Sequence, residues 1–106
     1  MDNNQFNQLV NNIMLKIENF FYSNPDYHEI DCEINYNMLI IEFQNKNKII
    51  INKQEYIQEI WLATKNNGYH FKFFNHCWLC KKNNMDFWNI LTNCCFLECG
   101  KKIKFN

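Results

Sequence analysis

Arginine is absent from this chain of 106 residues, glycine occurs only at Gly68 and Gly100, and Pro25 is the one proline. Two isolated glycines cannot make a glycine-rich loop that cradles phosphate. All eleven basic residues are Lys, scattered without a basic helix or an Arg cluster, which argues against nucleic-acid binding. No stretch approaches the roughly 20 apolar residues that a helix needs to cross a bilayer, so no membrane span is expected. The opening MDNNQFNQLV has neither a basic segment leading into an apolar one nor the Arg-rich, acid-poor character of a transit peptide. A cytoplasmic protein is expected. Its six Cys are accordingly read as reduced thiols and not as a disulfide framework. The three His are dispersed, and no Ser or Cys has a base placed beside it in sequence, so no enzyme is expected.

What is present is a large apolar payload. Ten Phe, five Tyr and three Trp give enough burial for one domain spanning residues 1–106 without staples. Net charge is zero but unevenly spread: residues 1–45 hold seven acids and one Lys, and residues 46–106 hold ten Lys and four acids. Such asymmetry fits a cation or a basic partner for the first half, or simply a solvated acidic face.

Along the chain, Phe6, Leu9, Val10, Ile13, Ile17, Phe20 and Phe21 recur at three-and-four spacing, which predicts an amphipathic helix over residues 4–22, stopped at Ser23-Asn24-Pro25-Asp26. Strict alternation predicts a half-buried strand over residues 29–35, with Ile30, Cys32 and Ile34 on one face and Glu29, Asp31 and Glu33 on the other. Further strands are predicted over residues 38–43, 48–53, 57–64, 69–74 and 77–80. Between the fourth and fifth, Asn66-Asn67-Gly68 is a turn in which Gly or Asn can take positive φ. A second helix is predicted over residues 85–98, with Asn84 as N-cap and Gly100 as stop, and Ile103 to Phe105 can pack back on the core. Strands joined by turns this short are antiparallel, and two helices with single apolar faces can both lie on one side of their sheet. The fold class is therefore α+β, a two-layer α/β sandwich of two helices on one face of an antiparallel sheet of about six strands. Trp61 then stands on the open face with Glu59 and Ala63, beside His70, as an aromatic anchor or as a ring covered by a neighbour.

The string INKQEYIQEIWLATKNNGYHF, residues 51–71, resembles the signature region of the frataxin family, of bacterial type. The likeness extends to IDCEIN at residues 30–35 and to Phe87-Trp88 at the opening of the last helix, and it covers nearly the whole chain. The resemblance implies the same α/β sandwich, an accessory or regulatory role in iron-sulfur cluster assembly, and docking on a cysteine desulfurase and its scaffold protein. It also implies an acidic ridge that binds iron, Fe2+ or Fe3+, with Glu18, Glu29, Asp31 and Glu33 at matching positions and no organic cofactor. Asn19, Tyr22, Ser23 and Tyr27 stand where further carboxylates are usual, which implies weak binding. Asn52, Lys53, Gln54 and Trp61 match the family's partner-binding sheet surface.

Residue chemistry agrees on weakness. Asp31 and Glu33 project from one strand face at roughly 6.5 to 7 Å intervals, which suits a hard cation held by one or two carboxylates and water. The cysteines leave a second reading open, a small thiolate-zinc structural module that mediates a protein interaction. Cys77-x-x-Cys80 with Cys94, Cys95 and Cys99 resembles half of a zinc motif. Against it, alternation sets Cys77 and Cys80 on opposite strand faces, and Cys94 and Cys95 lie on the apolar side of their helix.

Overall fold

A computed structural model describes residues 1–105. Helix α1 runs Asn3–Ser23 and is followed by a single 3-10 turn, Pro25–Tyr27. Six strands come next, β1 Asp31–Asn35, β2 Met38–Glu42, β3 Lys48–Gln54, β4 Glu59–Ala63, β5 Gly68–Phe74 and β6 Cys77–Cys80. Helix α2, Phe87–Cys99, closes the order. The strands form one antiparallel meander in sequence order, so β1 and β6 are the sheet's two edges.

Local chemistry explains the boundaries. Asp2 caps α1 by accepting the Gln5 N–H at 2.8 Å, while the Gln5 side chain accepts the Asp2 N–H at 3.1 Å, a reciprocal capping box. At the other end the Asn24 side chain donates to the Phe20 carbonyl at 2.7 Å, and Pro25 starts the 3-10 turn. Helix α2 begins later than expected because Asp86, and not Asn84, is its N-cap, accepting the Trp88 N–H at 3.0 Å. Asn84 instead takes φ 64° in the loop, and a bridge from Asp86 to Leu79 holds that loop on β6. Gly100 is the stop expected, with φ 72° and its N–H on the Phe96 carbonyl at 2.8 Å.

The turn over residues 66–68 needs no positive φ. Thr64 builds it, its hydroxyl accepting the Asn67 N–H at 3.0 Å while its own N–H donates to the Asn67 carbonyl at 2.8 Å. Left-handed backbone falls elsewhere, at Tyr36, Lys46, Gln58, Asn75, His76 and Asn84. Strand β1 also begins two residues later than the alternation suggested, so Glu29 lies in the turn before it.

Alternation sends Leu39, Ile41, Ile49, Ile51, Ile60, Leu62, Phe71 and Trp78 to the helix side, where Phe6, Val10, Met14 and Ile17 of α1 and Phe87, Ile90, Leu91 and Cys95 of α2 cover them. Phe87 meets Phe71 edge-on at 5.2 Å, tying α2 to β5, beside the β6 edge of the sheet. Ile103 and Phe105 return to this core, Phe105 lying 5.0 Å from Phe20 and 5.7 Å from Trp88. Neither of the described helices lies on the opposite face. Among the described residues, no helix is long and apolar enough to cross a membrane.

Candidate functional site

The open face is ordered in rows by the strand register. One row runs Asn35, Met38, Asn52, Trp61 and His70, so Asn52 and His70 flank Trp61 from its two neighbouring strands. The next row places Gln54 opposite Glu59 and Glu59 opposite Lys72. Asn52, Gln54 and Trp61 are therefore neighbours on one surface. Lys53 is not among them: it lies on the helix side between Asn52 and Gln54, and its ammonium donates to the Asn11 side chain of α1 at 3.3 Å.

Trp61 is only partly exposed, and its indole is tied down at two points. Its Nε1–H donates to Glu59 Oε1 at 2.9 Å, and the His70 imidazole lies parallel to the ring at 4.1 Å between centroids and 7° between planes. Glu59 is only 2 % exposed. Its Oε2 accepts from Lys81 Nζ at 3.0 Å, and its Oε1 lies 3.9 Å from His70 Nδ1. Burial pushes the Glu59 carboxyl up, but hydrogen bonds from Trp61 and Lys81 and the charges of Lys81 and His70 outweigh it and hold the group below the ordinary carboxylate range.

The acidic candidates lie at the β1 edge. Asp31 and Glu33 are exposed on the open face, as alternation requires. Glu18 of α1 and Asp31 line one open groove of about 440 Å³, with Asn19, Tyr22 and Cys32 in its wall. Glu29 is set apart: Lys101 Nζ sits 3.2 Å from its Oε1 and His28 Nδ1 3.6 Å from its Oε2. Its own backbone N–H, then the Lys101 ammonium, hold its carboxyl below the ordinary range. Glu42 was not singled out from sequence, yet it pairs directly with Asp31 and lines a second recess of about 310 Å³ with Asp31 and Glu33. The sequence signal that locates it is the two-residue break Tyr36-Asn37, which fixes the register of β1 on β2.

The cysteines do not converge, and the thiolate-zinc reading is corrected on that ground. Cys77 is exposed and Cys80 buried, on opposite faces of β6, and Cys94 and Cys95 are buried in the core. Burial pushes the Cys94 and Cys95 thiols up, and burial with the nearby Glu18 and Glu33 charges pushes Cys32 up to about 12, so these sulfurs are protonated thiols in the metal-free protein. Among the described residues, no three His, Cys, Asp or Glu side chains gather closely enough to hold a metal ion by themselves.

Comparison with known proteins agrees with this architecture. Residues 1–101 match the frataxin-like domain. The chain is 47 % identical over 102 residues to the iron-sulfur cluster assembly protein CyaY of Buchnera aphidicola subsp. Baizongia pistaciae, covering 96 % of this chain and 86 % of that one. It is 45 % identical over 104 residues to CyaY of Buchnera aphidicola subsp. Acyrthosiphon pisum, covering 98 % and 90 %. In structure it matches the frataxin from Psychromonas ingrahamii with TM-score 0.90 and 29 % identity, over 100 % of this chain and 99 % of that one. Trimeric frataxin from Saccharomyces cerevisiae, solved in complex with ferrous iron, shares the fold with TM-score 0.70 at 23 % identity, over 91 % and 86 %.

Proposed function

We propose, from the premise that this chain belongs to the frataxin-like family, that it is a non-enzymatic accessory protein or regulator of iron-sulfur cluster assembly. Its open sheet face, centred on Trp61 with Asn52 and Gln54 beside it, docks on a cysteine desulfurase and its scaffold protein. Lys53 is left out of this face, since its side chain lies on the helix side and reaches Asn11 of α1. The observation that carries this reading is an aromatic anchor held in place on a sheet face that no helix covers.

Iron, ferrous or ferric, is cargo and not a resident cofactor. Glu18, Asp31 and Glu33 present exposed or half-exposed carboxylates at the β1 edge, with Glu42 behind Asp31, and all the donors are hard oxygens. Water completes the shell, and the ion is bound weakly. Glu29 joins only when Lys101 lets go of it. The same acidic edge can meet a basic patch on the partner, so iron and partner compete for or share those charges.

The test is cluster assembly in vitro with the purified desulfurase and scaffold of Buchnera aphidicola. Trp61→Ala is expected to remove this protein's effect on the assembly rate, and the double variant Asp31→Asn, Glu33→Gln to remove its iron dependence. Unaltered rates with both variants would sink the two-surface account.

A further inference from the structure

Glu59 is the sole buried charged residue among those described, and it is buried on the sheet face that none of the described helices covers. A carboxylate on a solvated sheet surface normally keeps its water. Here side chains of the same surface replace that water: Trp61 and Lys81 each take an oxygen, and His70 closes on Oε1 from the neighbouring strand. Lys81 is placed for this just past β6 by its own N–H, which donates to the His70 carbonyl at 2.9 Å. The indole is thus held at its edge by the Glu59 carboxylate and on its face by the His70 ring. An edge bond and a face contact together fix both side-chain torsions of a tryptophan, which would otherwise exchange between rotamers on an open sheet.

We propose that Glu59 is the positioning residue of the docking face: with His70 as the opposing contact and Lys81 as the counter-charge, it holds Trp61 in the orientation a partner receives. This rests on the reading that Trp61 docks. Its consequence is that the entropy of ordering the anchor is lost on folding and not on binding, which strengthens association without adding a contact to the partner.

The experiment uses the full-length protein and reads the indole first. Three Trp give three indole N–H resonances, and Trp61→Phe assigns the one that disappears. In Glu59→Ala, the Trp61 N–H is expected to shift and exchange faster with water, with the amide spectrum of the helices unchanged as proof of folding. Glu59→Gln keeps an acceptor oxygen and is expected to return most of the signal toward the wild-type position. Affinity for the purified Buchnera aphidicola desulfurase–scaffold complex is expected to fall about threefold to tenfold in Glu59→Ala, with Glu59→Gln recovering most of it. A Trp61 resonance unmoved by Glu59→Ala overturns the clamp. An indole that moves while affinity stays at the wild-type value, in a series where Trp61→Ala does weaken binding, overturns the positioning role. If Trp61→Ala itself binds as well as wild type, the docking reading fails, and the role of Glu59 in docking fails with it.

Discussion

Replacing Lys81 with Ala isolates the charge balance beneath Trp61. Breaking a buried ion pair by removing one partner costs about 3–5 kcal/mol when both groups are sealed from water. Glu59 is sealed, with its side chain 3 % exposed, but Lys81 is 53 % exposed, so solvent reaches the gap it would leave and the loss falls to about 1–2 kcal/mol. For a domain of this length that corresponds to a Tm lower by roughly 5–10 °C. The pH dependence carries the diagnostic sign. With Lys81 present the Glu59 carboxyl is held below its ordinary range, so its contribution exists above the unfolded pKa and is lost as pH falls through the folded one. Without Lys81, its hydrogen bond and charge no longer offset burial and the folded carboxyl rises relative to the wild type, so the variant is penalised at neutral pH and relieved once Glu59 is protonated. Urea denaturation of both proteins from pH 7 down to about pH 3 should therefore show a stability gap widest at neutral pH and closing through the carboxylate range. A gap that stays constant with pH, or is absent at pH 7, would refute this account of Glu59.

Phe87→Ala empties a site of zero exposure against Phe71 and Trp88 and is expected to cost about 3–5 kcal/mol, read by the same denaturation. Asp2→Ala removes the oxygen that caps α1 and is expected to cost about 1 kcal/mol, with faster amide exchange in the first turn. Alkylation of the native protein should modify exposed Cys77 first, half-exposed Cys32 more slowly, and buried Cys95 only on unfolding, as peptide mapping of the labelled chain will show. A chelator should leave the Tm unchanged, since the apolar core and not a metal holds the fold; a large drop on adding one would restore the zinc reading.

The layers of the fold were legible because each element carries its own period. The three-and-four spacing from Phe6 to Phe21 and the alternation through Ile30–Asn35 and Ile60–Leu62 settle which side chains face inward, and both hold in three dimensions. Boundaries were less legible where a distant partner decides them. Asn84 and Asp86 are both good caps by residue type, and the bridge to Leu79 selects Asp86. Thr64 organises its turn through its hydroxyl, which makes a positive-φ residue unnecessary there. For the site, alternation placed Trp61, Glu59 and His70 together on the open face, and Asn52 and Gln54 follow from the register. The burial of Glu59 did not follow, because it depends on Lys81, twenty-two residues away, crossing back from the end of β6. Likewise the pairing of Glu29 with Lys101 joins the start of the chain's acidic segment to its basic tail, a contact of sequence separation 72 that no local pattern encodes.

The central claim is that the uncovered sheet face docks through Trp61. The most direct test is the affinity of the wild-type protein and of Trp61→Ala for the purified desulfurase–scaffold complex of Buchnera aphidicola, measured by titration calorimetry on samples whose amide spectra show the same fold. An anchor at the centre of an interface contributes about 2 kcal/mol or more, so the account predicts a loss of roughly thirtyfold or greater. Affinities equal within about twofold, a difference below 0.5 kcal/mol, would contradict it.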